Sequence, residues 1–314
     1  MTLFRHDIAV AAARIAPWVR HTPLLRLAAG ELGLGFPLTL KLELLQHAGS
    51  FKPRGAFNRI LSAREAGALP AAGVIAASGG NHGAAVAFAA RALGLAAEIF
   101  VPKVTSAAKR ARIEGFGARL ICTGATYFEA FEASRARQAE TGAMDVHAYD
   151  HPAVLAGQGT TAREFELDAP ELTHVLVATG GGGLIGGMAG WYAGSAAVIS
   201  VESVGCPTLH DALAAGRPVE APVGGIAADS LGARQVGQLM FPLARDFVAE
   251  AVLVEDAAIR AAQRLLWERL RLVAEPGGAA ALSALLSGAW VPPAGARVGV
   301  LVCGSNCDPA TVAG

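Results

Sequence analysis

Lysine is scarce in this 314-residue chain. Lys41, Lys52, Lys103 and Lys109 are the only lysines among 26 basic residues, and the rest are arginine. Arginine holds its proton in proteins, whereas a lysine amine gives one up readily when buried. Charge is also sparse: 17% of residues are Asp, Glu, Lys or Arg, and the formal net charge is zero with a pI near 7.1. That balance excludes nucleic acid or an anionic membrane surface as the main partner. No run of about 18 uncharged apolar residues occurs, so no membrane span is expected. The four cysteines, Cys122, Cys206, Cys303 and Cys307, have neither disulfide-framework nor zinc-ligand spacing. A reducing cytoplasm is the compartment this implies. Met1–Ala16 carries Arg5, Asp7 and Arg14 through its apolar stretch and reads as an amphipathic helix, not a signal peptide.

What is abundant is apolar: 53% of the chain is hydrophobic, enough for a large core and too much for disorder. Short apolar runs alternate with alanine-rich helical stretches. Strands are expected at Leu38–Leu42, Val74–Ala77, Ala97–Val101, Arg119–Thr123, His174–Ala178, Val198–Glu202 and Val298–Cys303. Helical patterns fall between some of them at Asn81–Leu93, Ser106–Phe116 and Ala125–Glu140. Continuous apolar strands separated by helices indicate a parallel sheet covered on both faces, hence an α/β fold. No charged or Pro/Gly/Ser-rich linker divides the chain, so a second domain must be inserted rather than strung on.

Ligands of such sheets bind beyond the carboxyl ends of the strands. Three loops fall there: Ser78-Gly79-Gly80-Asn81-His82-Gly83, Thr179-Gly180-Gly181-Gly182-Gly183-Leu184 and Cys303-Gly304-Ser305-Asn306. Four consecutive glycines before a helix allow the backbone to wrap a phosphate, or simply let a helix pack tightly on a sheet. Ser78 or Asn81 reads equally as a helix N-cap, while the amides beside them are able to receive a carboxylate. Cys303 reads as a buried structural thiol or as one facing the crevice. Lys52, between Phe51 and Pro53, reads as a helix-start lysine or as an amine that forms a Schiff base. Lysine, glycine cradle, amide loop and thiol meeting at one sheet edge point to pyridoxal phosphate.

Ser50-Phe51-Lys52-Pro53-Arg54-Gly55-Ala56, Ser78-Gly79-Gly80-Asn81-His82-Gly83 and Gly180–Leu184 together resemble, in order, the fold-type II pyridoxal-phosphate enzymes. More narrowly they resemble the serine/threonine dehydratases. The likeness runs from His21-Thr22-Pro23-Leu24 to the last loop. It implies a tryptophan synthase beta-like fold: two open, twisted, mostly parallel sheets covered by helices, with the cofactor in the interdomain cleft. Residues 1–45 and 148–314 would form the larger domain and 46–147 a smaller inserted one. Lys52 would bond the cofactor aldehyde, Phe51 would pack against the ring, and Asn81 would bond its 3-hydroxyl. Gly180, Gly181, Gly182, Gly183 and Leu184 would hold the phosphate, and Cys303 would face the pyridine nitrogen. Ser78, Gly79, Asn81 and His82 would hold the substrate carboxylate. Glu275 matches a family glutamate near the cofactor, and also suits a helix-start carboxylate. Glu202, the Cys206 carbonyl and Thr208 resemble the family's cation segment, with potassium as the expected ion because only one carboxylate is present. The same segment also reads as a turn without an ion.

The resemblance implies dehydration and deamination of L-threonine or L-serine to 2-oxobutanoate or pyruvate plus ammonia, by a homodimer. Two departures bear on it. Related racemases carry a serine where Gly79 stands, so racemisation should be poor, and Ser305 replaces a glycine common in the last loop. Serine racemases also carry an aspartate at the place of Thr208. With the sequence ending at Gly314, isoleucine control through a C-terminal regulatory domain is not expected. Other readings are β-elimination or racemisation of another hydroxy amino acid, such as 3-hydroxyaspartate, phenylserine or serine. A non-catalytic protein binding an amino acid or the cofactor is a further one.

Overall fold

Strands buried on both faces occupy the centres of two sheets. The computed structural model describes residues 5–313. Its strands are β1 (Leu24–Leu27), β2 (Leu38–Lys41), β3 (Val74–Ala77), β4 (Ala97–Val101), β5 (Arg119–Cys122), β6 (Met144–Asp145), β7 (His174–Ala178), β8 (Ala197–Ser203), β9 (Val248–Val254) and β10 (Val298–Leu301). The smaller sheet has the order β5-β4-β3-β6, all parallel. The larger has the order β1-β2-β10-β7-β8-β9, parallel except for β1 at its edge. The fold is α/β, with two mostly parallel sheets as expected.

All seven expected strands are present, with ends shifted by a residue or so, the usual latitude of strand boundaries. Three strands lay outside the sequence reading, and each sits at a sheet edge. β1 is interrupted by exposed Arg26, β9 by exposed Glu250, and β6 has only two residues. An edge strand faces water along one side and need not present a continuous apolar run. The expected N-terminal helix is observed as Arg5–Ile15, and the first four residues lie outside the described range. Its Ile8 and Ala11 join the core of the larger sheet, while Ile15 enters that of the smaller, where Trp18 stacks on Phe57. Among the described residues no helix is long and apolar enough to cross a membrane.

The helix Pro152–Asp168 is the common seat of both halves of the site. A Cβ on Gly157 would come within 2.5 Å of the Arg54 carbonyl, and one on Gly187 within 2.4 Å of the Leu155 carbonyl. The helices Lys52–Glu65 and Gly183–Tyr192 therefore lie against Pro152–Asp168 at backbone contact, which only glycine allows. One of these two helices starts at Lys52 and the other at the glycine loop.

Arg54 bolts this junction electrostatically. Its side chain is wholly buried, as is Glu43, and the two make paired bonds of 2.8 and 2.7 Å. The other guanidinium edge meets Glu164 on Pro152–Asp168 at 2.7 and 2.8 Å. Lys41, also fully buried, adds a 2.9 Å bond to Glu164. Burial pulls the Arg54 pKa down and pushes that of Glu164 up; the bonds of Arg54 to Glu43 and Glu164 outweigh it, leaving Arg54 raised and Glu164 below the ordinary carboxylate range. Removing one member of such a cluster leaves uncompensated buried charge. Arg54→Met is expected to lower the unfolding free energy by about 3–5 kcal/mol, measured by denaturant unfolding. A loss below about 1 kcal/mol, the range of an exposed pair, would contradict this role.

Candidate active site

Lys52 opens the helix Lys52–Glu65, with Pro53 in its first turn where a missing N–H costs nothing. The preceding segment is tied to the last loop: Ser50 bridges Gly304, and the Phe51 amide donates to the Cys303 carbonyl at 3.2 Å. The amine emerges in a cleft of about 490 Å³, counting the solvent at its mouth. It donates there to the Ala148 carbonyl at 3.0 Å and lies 5.2 Å from the centre of the Phe51 ring. Withdrawal from bulk water lowers the Lys52 pKa from 10.5 to about 8, against the opposing pull of Cys303 and Glu275. A substantial neutral fraction near physiological pH is what a nucleophilic or basic amine requires.

Facing Lys52, the glycine loop leads from β7 into Gly183–Tyr192. Gly182 is left-handed, with φ 87°. Among the described residues no carbonyl accepts from the amides of Gly180, Gly181 or Gly182, and Gly186 is the first helical amide bonded back into this turn. The space behind the loop is full: a Cβ on Gly181 would come within 2.5 Å of the Tyr149 ring, and one on Gly182 within 2.4 Å of Met240. The result is a set of unpaired N–H groups at a helix start that side chains would close, a fitting seat for phosphate. An amine of lowered pKa opposite a phosphate seat fits an aldehyde that carries a phosphate.

The remaining wall is polar and dry. Asn81 Nδ2 donates to Glu275 Oε1 at 2.5 Å, and Asn81 Oδ1 accepts from Asn306 Nδ2 at 2.6 Å. Burial pushes the Glu275 carboxyl up to about 7, opposed by the Asn81 hydrogen bond and by Arg112 and Lys109. A Cβ on Gly304 would meet Glu275 Oε1 at 2.0 Å, so only glycine lets this carboxylate reach Asn81. Burial likewise raises the Cys303 thiol, which donates to the Gly277 carbonyl at 3.3 Å. Across the mouth, Lys109 of the helix Ala107–Gly115 pairs with exposed Asp229 at 2.9 Å.

The cleft thus gathers Phe51, Lys52, Asn81, the loop from Gly180 to Leu184, Glu275 and Cys303. Ser78, Gly79 and His82 flank it through their connection to Asn81. The Ser78 amide is taken by the Phe100 carbonyl at 3.0 Å. The His82 ring donates through Nε2 to the Val146 carbonyl at 2.6 Å, and burial lowers its pKa to about 3, leaving it neutral. Glu202, Cys206 and Thr208 form a separate cluster past the end of β8. Glu202, fully buried, accepts from the amides of Leu209 and His210 at 2.7 and 2.8 Å, and burial pushes its pKa up to about 8. Thr208 donates to the Ala233 carbonyl. Among the described residues no group of three or more His, Cys, Asp or Glu is placed to hold a metal.

The sequence reading did not single out Tyr149 or Ser230. Tyr149 backs the glycine loop, and its hydroxyl donates to the Gln235 carbonyl at 3.3 Å; Ser230 Oγ accepts from the Gly277 amide at 3.0 Å. An aromatic inside the polar turn His147-Ala148-Tyr149-Asp150 was the available signal for the first.

The lowered Lys52 pKa has a consequence for stability. The unfolded chain binds the Lys52 proton up to about pH 10.5 and the folded chain only up to about 8. Folding is therefore penalised below pH 8, and the penalty fades as pH rises toward 10.5. Lys52→Met should raise the melting temperature of the cofactor-free protein at pH 7, with a smaller gain at pH 10. Equal gains at both pH values, or a loss, would contradict the origin given for the shift.

A family model described as "Pyridoxal-phosphate dependent enzyme" matches residues 15–304. An L-threonine ammonia-lyase of Geobacter sulfurreducens is 39% identical over 303 residues, covering 95% of this chain and 74% of the relative. A phenylserine dehydratase of Ralstonia pickettii is 38% identical, covering 98% of this chain and 94% of the relative. The solved structure of maize serine racemase superposes with a TM-score of 0.92 at 33% identity, covering 99% of this chain and 96% of that one. The chain belongs to the pyridoxal-phosphate dependent enzymes, and pyridoxal phosphate is its cofactor.

Proposed function

We propose that this chain is an ammonia-lyase that converts L-threonine or L-serine to 2-oxobutanoate or pyruvate plus ammonia. The observation that carries the proposal is the meeting of a lysine of lowered pKa with an unpaired glycine cradle in one cleft. The likeness to an L-threonine ammonia-lyase over 95% of the chain supports the same reading. Bound pyridoxal phosphate supplies an aldehyde that condenses with amines and a ring that accepts electrons from the substrate α-carbon.

The chain's own groups then have distinct tasks. The amides from Gly180 to Leu184 would hold the phosphate, and Phe51, on the same cleft wall, would pack against the ring. Asn81 would donate its amide hydrogen to the ring oxygen. The Lys52 amine, neutral in part near pH 8, would serve as the base that takes the α-proton of the substrate. With the Ser78 amide and His82 ring already engaged, the main-chain amides of Gly79, Asn81 and His82 are left for the substrate carboxylate, at the start of the helix Asn81–Ala92. The Cys303 thiol, kept un-ionised by burial, would present no negative charge to the ring nitrogen, which would suit loss of the β-hydroxyl over a long-lived carbanion. Glu275 beside them is raised by burial to about 7.

Racemisation is disfavoured at Gly79. A Cβ there would come within 2.9 Å of the Thr105 methyl, so a side-chain acid on that face would require Thr105 to move. Residues 46–147 are proposed as the moving unit, closing the cleft against water. Potassium bound by Glu202, the Cys206 carbonyl and Thr208 is part of the proposal, at a buried carboxylate that also accepts from the Leu209 and His210 amides. So is a homodimer in a reducing cytoplasm, where four free cysteines are at home.

Ammonia and 2-oxo acid release should be assayed with pyridoxal phosphate and potassium on L-threonine, L-serine, D-serine, 3-hydroxyaspartate and phenylserine. Turnover of L-threonine or L-serine, with little on D-serine, is expected. Turnover of phenylserine or 3-hydroxyaspartate alone would keep the site and overturn the substrate. Lys52→Ala should remove the visible band of lysine-bound cofactor and lower turnover by at least about 10²–10⁴-fold; retained turnover contradicts the role of Lys52. Gly181→Ala, blocked by Tyr149 at 2.5 Å, should weaken cofactor binding by about tenfold or more, read by absorbance titration. Unchanged affinity would place the phosphate elsewhere.

A further inference from the structure

Asn81 is useful to a ring oxygen only if its NH₂, not its carbonyl, is presented to the cleft. An amide is nearly symmetric in shape, and its orientation is set by its neighbours. Glu275 alone is a weak guide. Ionised, it accepts from Nδ2; protonated, which its elevated pKa of about 7 allows, it could donate to Oδ1 instead.

Asn306 removes the ambiguity. Its Nδ2 lies 2.8 Å from the Ala48 carbonyl and 2.6 Å from Asn81 Oδ1. A backbone carbonyl only accepts, so the Asn306 NH₂ must face Ala48, and the same NH₂ then meets Asn81. Asn81 must present its oxygen there, which turns its Nδ2 toward Glu275 at 2.5 Å. One Nδ2 hydrogen is used in that bond, and the other is left for the cleft.

The backbone at Ala48 is arranged around this contact. Ala48 is left-handed, with φ 56°, and Gly49 follows at φ 72°. A non-glycine residue pays about 1–2 kcal/mol for that conformation, and such strain collects at functional sites. A Cβ on Gly49 would come within 2.3 Å of Asn306 Oδ1. The Ser305 amide and hydroxyl bond the Gly49 carbonyl at 2.9 and 3.3 Å, locking the two loops together.

We propose that Asn306, anchored on the Ala48 carbonyl, is a positioning residue that holds the Asn81 amide with its NH₂ toward the cofactor. The proposal rests on the assignment of Asn81 to the ring oxygen made above. Asn306→Asp keeps the shape but replaces the donor with a carboxylate. The Asn81 NH₂ then turns to that carboxylate, and the Asn81 carbonyl faces the cleft.

The test is a double-mutant cycle on the full chain. Pyridoxal phosphate is titrated into wild type, Asn81→Ala, Asn306→Asp and the double variant, and affinity and band position are read from visible absorbance. Asn306→Ala runs in the same cycle in case the aspartate variant fails to fold. Each single change should weaken cofactor binding by about tenfold and shift the band. The double variant should be no weaker than Asn81→Ala. An additional tenfold loss in the double variant would show that Asn306 acts independently of Asn81, overturning the proposal while leaving the Asn81 assignment intact. So would an effect of Asn81→Ala with none from either Asn306 variant. No effect of Asn81→Ala would overturn both.

Discussion

Arg54 is charged, sealed from water and two residues from Lys52. The cost of burying that charge is offset by Glu43, just past the end of β2, and Glu164, from Pro152–Asp168, which converge on it. A guanidinium suits this task, since its planar fork meets two carboxylates without giving up its proton. The helix that begins at Lys52 is thereby fixed to the helix that also seats the glycine loop. The distance between amine and phosphate cradle, on which the chemistry depends, is set by this junction and by the glycine contacts beside it. Buried ion clusters are seldom gained for stability alone, and this one is placed where registration matters.

A second constraint runs through the site itself. Lys52, Glu275 and Cys303 are all pushed toward their neutral forms by burial. The cleft is therefore a region of low net charge walled by hydrogen bonds, and a phosphate entering it meets backbone dipoles on one side and little repulsion elsewhere. The ion pair of Lys109 with exposed Asp229 is of the kind that contributes at most about 1 kcal/mol.

The central strands were legible because burial on both faces writes a continuous apolar run. Asn81, the glycine loop and Cys303 could be picked out because each follows or ends such a run, and Lys52, with Phe51 before it, because lysine is scarce in the chain. β1, β6 and β9 were not, being edges with interrupted patterns. The Arg54 partners lie 11 and 110 residues away, and no local spacing announces them. Tyr149 and the orientation of the Asn81 amide are likewise products of tertiary contact, as are the amides that occupy the Glu202 carboxylate. The Ser78–His82 stretch shows the opposite case: its composition suits an anion site, yet the fold commits the Ser78 amide and the His82 ring elsewhere.

The central claim is that, of the four lysines, Lys52 alone bonds the cofactor. Lys41 is fully buried and already bonded to Glu164, and Lys109 is paired at the mouth. Borohydride reduction of the protein loaded with pyridoxal phosphate, followed by peptide mass mapping, tests this directly. A single pyridoxyl addition at Lys52 is the predicted result. Modification of Lys41, Lys103 or Lys109 with Lys52 unlabelled would contradict the account.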